Sequence, residues 1–432
     1  MKSHIYLLCA ILSIFVFTAP LTAQSSYTNS STATVIETDT DFYMDVNDFK
    51  KVEMENFFSF IRFADSLTAG FAKNFGNNYI GLYYSGNLLS GNSAKTTVET
   101  AGTSVRQDPA DTGILWGNYI AALWGNDIFG AFRLDIGLTG LGTDTDETGV
   151  NVTDTTTGDI RIGLTWGKNF GLGGGLLKPE AGVEYYLAMN KVKYSATNSD
   201  DYILTNGNLS TLSFRLGTDF ELERKGKGQS ILSFYYLPAF VIYPSSNGEM
   251  VIGNTTVSGE IDSSNMINGL SFRYRYIYEM NERFSSGIAA NLYVTLTSAK
   301  ETPTTVTEMP GSTTSVKGDT QTYFSAYVAP SIGAGFSFKV KPEVFTLNGG
   351  LSLTLPYYTY TNTKDDGTPE TESKSHSWTR LTPSARIGGT LNITPAFSLD
   401  MQLSSSFGNT PATATTYDFL STTFSIMATI KK

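Results

Sequence analysis

The stretch Asp127–Leu138, "DIFGAFRLDIGL", constrains the fold more than any other. Ile128, Phe132, Leu134, Ile136 and Leu138 share one parity, and Phe129, Arg133, Asp135 and Gly137 the other. Strict alternation of this kind marks a β-strand with two unlike faces. The same period recurs along the chain. In "TLSFRLGTDFELE", Leu212, Phe214, Leu216, Phe220 and Leu222 oppose Arg215, Asp219 and Glu221. In "GLSFRYRYIYEM", Phe272, Tyr274, Tyr276 and Tyr278 oppose Arg273, Arg275 and Glu279. "DIRIGLTWG" and "FSLDMQLSSSF" repeat it, setting Arg161 and Asp400 against apolar neighbours.

So many two-faced strands need a cover for every apolar face. A soluble sandwich or propeller would need a second layer, and no blade-like repeat is present. Lipid covers a closed barrel directly, and closure removes the exposed sheet edges. The composition agrees. Only 16% of residues are charged and 13% are aromatic, with a mean hydropathy of −0.10, whereas soluble chains carry about a quarter charged residues. On this reading the water is inside: Leu134 and Ile136 face lipid, while Arg133 and Asp135 line a lumen. An arginine facing mid-membrane lipid would cost about 2–4 kcal/mol, so the register is strongly specified.

The connections alternate as well. Tight turns at "FGNN", "WGND", "ERKGKGQ", "MNER", "KVKPE" and "ITPA" separate longer polar stretches, such as 143–156, 196–208, 244–264, 299–320 and 361–377. The longer stretches are expected to be external loops and the tight turns periplasmic. "KNFGLGGGLLKPE" falls on the short-turn side yet is longer than the rest. The fold class expected is an all-β, transmembrane, up-and-down antiparallel barrel. It needs an even strand number, about sixteen with about fourteen as the alternative.

The amino terminus, "MKSHIYLLCAILSIFVFTAPLTAQ", has one lysine, an apolar run too short to span a bilayer, and small residues before Gln24. That is the layout of a signal peptide over 1–23. Cys9, the one cysteine, lies within it, so the mature chain would carry neither disulfides nor a cysteine-ligated metal. Residues 24–65 form a distinct pre-barrel segment. "VNDFKKVEMENFFSFIRF" has helix-like apolar spacing at Val46, Phe49, Val52 and Phe57, so the segment is either a plug or the first strand. The barrel proper is assigned to 66–432.

No enzyme motif stands out. His376, flanked by Ser375 and Ser377 on an expected loop, lacks the fixed geometry of a catalytic array. "GLGGGLL" lacks the lysine of a phosphate loop, and the acidic runs "TDTDET" and "TKDDGTPETES" lack the spacing of a calcium site. The reading is therefore no enzyme, no cofactor and no metal. A net charge of −10 disfavours nucleic acid as a partner. The expected lumen lining is Arg133, Asp135, Arg161, Glu184, Arg215, Asp219, Glu221, Arg273, Arg275, Glu279, Arg380, Arg386 and Asp400. Trp116, Trp124, Trp166 and Trp378 near strand ends suit the aromatic girdles of such barrels.

On these features the chain resembles the outer-membrane β-barrels of Gram-negative bacteria and spirochaetes. The final strand "STTFSIMATIKK" alternates Phe424, Ile426, Ala428 and Ile430 like an assembly signal, but ends in lysines rather than an aromatic. The resemblance implies outer-membrane lipid and the barrel-assembly machinery as partners, and a bacterial outer-membrane location. Oligomeric state stays open. The length and pre-barrel segment are similar to those of long-chain fatty-acid transporters, whose fourteen-stranded barrel has an N-terminal hatch; their Asn-Pro-Ala hatch motif is absent. Three functions follow as expectations: a porin-like channel passing small polar solutes, a plugged carrier of hydrophobic ligands, or a surface adhesin.

Overall fold

The alternating segments pair with their sequence neighbours all the way round, and the last strand closes on the first. In the computed structural model the chain forms a closed antiparallel barrel of 16 strands. The described residues are 44–52, 54, 56–63, 67–86, 97–100, 103–106, 118–148, 151–196, 202–222, 226–252, 254–365, 371–378, 382–406 and 421–431. The signal-peptide reading, Arg380 and Trp116 lie outside them.

The first eight strands are β1 (Phe57–Phe63), β2 (Leu67–Phe75), β3 (Asn78–Gly86), β4 (Asn118–Asn126), β5 (Gly130–Thr148), β6 (Asn151–Gly167), β7 (Gly175–Ala196) and β8 (Tyr202–Leu222). There follow β9 (Gly228–Ile252), β10 (Thr255–Asn281), β11 (Phe284–Met309) and β12 (Thr320–Lys341). Next comes β13, Phe345–Thr354 continued by Tyr357–Asp365, and then β14, Thr371–Trp378 continued by Thr382–Thr394. The barrel ends with β15 (Phe397–Ser406) and β16 (Ser421–Lys431). β1 pairs with β16 from Phe58↔Lys431 to Phe63↔Ile426 and closes the sheet. Strand formation thus starts at Phe57, within the segment read from sequence as pre-barrel.

Alternation decides the faces. Phe132, Leu134 and Ile136 are exposed on the outer wall, whereas Arg133 and Asp135 are 6% and 4% exposed. Ile162, Leu164, Phe214, Leu216, Phe272, Tyr274, Ile288, Leu292, Leu351, Met401, Leu403, Phe424 and Ile426 continue the exposed apolar belt around the barrel. Near the short turns, Trp124 stacks on Phe132 at 6.0 Å between ring centroids, and Trp166 Nε1 donates to Phe129 O at 3.0 Å. These two rings sit where an aromatic girdle meets the headgroups.

The polar stretches expected to be external loops are instead largely paired. β5 and β6 pair up to Thr148↔Asn151 across a bulge at 139–142, β7 and β8 up to Ser195↔Tyr202, and β9 and β10 up to Ile252↔Thr255 across a bulge at 241–246. At the tip of β11, Ser312–Lys317 folds back as a hairpin arm. Their Thr, Ser and Val content favours strand, but the sequence there carries no apolar face, so no apolar period announces them. "KNFGLGGGLLKPE" is likewise a small hairpin, in which Phe170–Leu172 pairs with Gly175–Leu177 and Gly174 takes the turn at φ 98°.

Replacing Leu134 by arginine is expected to destabilise the barrel by about 2–4 kcal/mol in lipid. The check is urea unfolding in vesicles, with Gln402→Arg on the luminal parity as the control that shifts far less.

Candidate functional site

Residues 44–52 sit inside the barrel, beside the short-turn end. Asp45 organises the segment: its Oδ1 accepts the backbone N–H groups of Asn47 (2.7 Å) and Asp48 (2.9 Å), a local capping pattern that starts a turn. One 3-10 turn, Phe49–Lys51, follows. This compact knot presents Met44, Val46, Phe49 and Val52, each 6% exposed or less, to Phe58, Phe60, Ala72, Tyr79, Ala121, Leu123 and Ala131 on the inner wall of β1–β5. A hydrophobic core has thus formed in the lumen, where a pore would hold water. Phe49 lies 4.9 Å from the Tyr79 ring.

Two glycines make the seat. A Cβ on Gly125 would come within 2.6 Å of the Phe49 ring, and one on Gly167 within 2.6 Å of both Asn47 and Val46. Polar contacts complete it. Asn47 Nδ2 donates to Lys178 O (3.3 Å), Asn169 Nδ2 to Asn47 O (2.7 Å), and Arg133 to Met44 O (3.2 Å). Lys178, 2% exposed, lies between Asp48 (2.6 Å) and Glu221. Lys51 reaches the same two carboxylates at 3.4 and 3.2 Å, and Lys50 pairs with Asp127.

The wall behind the plug is an ion-paired lattice. Arg133 Nε meets Asp135 Oδ2 at 3.1 Å, and Tyr119 donates to the same carboxylate. Arg161 faces Glu184 at 3.6 Å, Arg215 pairs with Glu180, and Tyr235 donates to Asp219 Oδ1 at 3.0 Å. The register explains how this fits. Asp135 and Glu184 both stand opposite Gly163, Arg161 opposite Gly137, Arg215 opposite Gly182, and Glu180 opposite Gly217 and Gly167. At Gly137, Gly163 and Gly182 the charged side chains lie over a neighbour that has none, whereas Gly167 makes room for Asn47 and Val46 and Gly217 for Tyr235.

Of the expected lining residues, Arg133, Asp135, Arg161, Glu184, Arg215, Asp219 and Glu221 therefore belong to one network on β5–β8. Arg275 is 3% exposed and Arg273 half-buried, both on the luminal parity of β10. Arg386 on β14 is half-buried, and Asp400 on β15 accepts from Thr390. Glu279 is exposed at the short-turn rim rather than inside. Sequence reading missed Lys178 and Glu180. Both share the parity of Glu184, but "KPE" around Pro179 reads as a turn. It also missed the plug anions Asp45 and Asp48, which have no strand period to place them.

The fold is that of an outer-membrane β-barrel. A membrane-spanning wall around a polar, ion-paired lumen is the architecture of a channel or transporter. No family model matches the chain, and no curated protein sequence matches it. Among solved structures it is similar to a FadL homologue from Pseudomonas aeruginosa, with 12% identity, a TM-score of 0.39, and 87% of this chain and 90% of the other covered. The CymD monoaromatic hydrocarbon channel gives 9% identity, a TM-score of 0.33, and 91% and 93% coverage. An outer-membrane channel from Pseudomonas putida F1 gives 13%, 0.27, and 75% and 98%.

Burial and the nearby carboxylates of Asp48, Glu180 and Asp219 push Asp45 up to about 7 from 3.8. A raised carboxylate favours the docked state while protonated, so its contribution is full below about pH 4 and is lost as pH rises to about 7. Amide-exchange protection of 44–52 should fall across that window and level off above it. Asp45→Asn should remove this slope.

Proposed function

We propose that the barrel is a plug-restricted channel: a transporter for small solutes whose short-turn mouth is narrowed at rest by residues 44–52. The observation that supports this is the docked plug itself. Four apolar side chains and the Lys178–Asp48 pair hold it where an open diffusion pore would keep water. The seat suits a reversible gate. Its apolar contact comes from one short segment, and Lys50, Lys51 and Asp48 each pair with the wall, so one local displacement releases both. The direction of restriction follows from topology. β1 follows the plug closely in sequence, and the first strand begins at the same end as the short turns.

The wall opposite the plug is built for passage. On β11–β15 the luminal parity carries Ser285, Gly287, Asn291, Ser331, Gly333, Ser352, Ser384 and Ser404, small groups that leave room and offer hydrogen bonds. Small polar solutes are the class that such a wall admits.

Single-channel recording of the refolded protein in planar bilayers tests the reading. Lys178→Gln leaves Asp48 and Glu221 without their closest counter-charge, and Gly167→Val fills the plug seat. Both should raise unitary conductance several-fold over the unaltered protein. Equal conductance in all three would overturn the proposal.

A further inference from the structure

A second cluster lies outward of the plug, further from the short turn at 282–283, on β10–β13. The register sets Thr295 opposite Tyr327, and Tyr327 opposite Tyr358. One step outward, Ser325 stands between Thr297 and Tyr360. One step further, Tyr323 faces Ala299, which in turn faces Asn265. Alternation puts this set on the luminal side: Asn265, Thr295 and Tyr323 are 7%, 5% and 7% exposed, whereas their chain neighbours Met266 and Phe324 are 37% and 46% exposed on the outer wall.

Two features of the cluster point to a ligand. The first is a shelf of rings. Tyr293 and Tyr327 meet edge-on at 6.4 Å between centroids, and Tyr323 and Tyr360 are tilted at 6.1 Å. Tyr293, Tyr327, Tyr358 and Tyr360 are only half-buried, so part of each ring faces the lumen. The second is independent of the rings. The Asn265 amide oxygen and the Thr295 hydroxyl are buried with no hydrogen-bond partner, and such groups are costly until something supplies one.

We infer that this shelf is a binding subsite for a neutral, hydroxylated ring compound of the carbohydrate class. The flat C–H faces of such a ring lie against tyrosine, which combines apolar area with a polar edge. Its hydroxyls donate to Asn265 and exchange hydrogen bonds with Thr295, Thr297 and Ser325. A purely apolar ring would fill the shelf but leave the two polar groups without partners. An anion would meet Glu301, which is 5% exposed on the same wall near Tyr323, whose hydroxyl donates to Gln321. The subsite rests on the channel reading only in that its ligand reaches it through the lumen.

The test is calorimetric titration of the folded, detergent-solubilised full-length protein with maltotriose, and separately with p-cresol as the apolar aromatic probe. Folding of every variant is checked by its compact electrophoretic mobility before heating. Maltotriose should bind, and Tyr327→Ala and Tyr358→Ala should each weaken it about tenfold. Tyr358→Phe should keep most of the affinity, and Asn265→Leu should lose it without disturbing the rings. Absence of maltotriose binding, binding unchanged in the alanine variants, or binding of p-cresol alone would each overturn the inference. Because the readout is binding, a failure here is distinct from a failure of the plug, which is read from conductance in Lys178→Gln.

Discussion

In a bilayer no backbone amide can fall back on water, so the sheet must close, and closure here depends on β1 meeting β16. From Phe58 to Phe63 the first strand supplies the hydrogen bonds that β16 would otherwise leave facing lipid. Everything inside depends on that seam. A closed wall with lipid outside forces apolar side chains outward, and the alternation then delivers every second residue to the lumen. The charged network on β5–β8 follows from this geometry: glycines at 137, 163 and 182 clear the space beside Arg161, Asp135, Glu184 and Arg215.

The lumen is divided in character around its circumference. One arc, from β1 to β8, carries the plug, its apolar seat and the ion pairs that hold it. Another, from β11 to β15, presents mainly small polar groups, with the tyrosine shelf outward of them. A buried ion pair such as Lys178 with Asp48 is a poor source of net stability, because desolvation offsets much of the attraction. It is a good source of position. An apolar contact alone would let residues 44–52 slide along the inner wall, whereas Asp48 has a defined partner.

The outer wall was legible in the sequence because lipid imposes a period of two: Leu134, Phe214, Phe272 and Leu403 announce their own facing. Luminal residues were legible by subtraction, which is why Arg133, Asp135 and Arg215 could be named. That logic weakens at both ends of the strands. Towards the hairpin ends of β5–β10 the sequence has no apolar parity, so Thr- and Ser-rich hairpins read as loops. At the short-turn rim, Lys178 and Glu180 flank a proline and read as a turn. The plug was legible only as an either-or, since the helix-like spacing of Val46, Phe49 and Val52 and the strand pattern of 57–63 coexist in one segment. In the structure 44–52 packs against the inner wall with one 3-10 turn, and Phe57–Phe63 is the first strand.

The seam also has a consequence for how the molecule comes into being. Arg62 bonds Ser425 across 363 positions of sequence, at the joint that brings the two ends of the sheet together, whereas every other neighbouring pair of strands is linked through adjacent chain. Meeting ends that lie so far apart carries the largest loop-closure entropy, so this joint forms last. The knot at 44–52 directly precedes the strand that makes the joint. It must therefore be swept into the interior as the cylinder shuts, like a cork drawn in by the last stave.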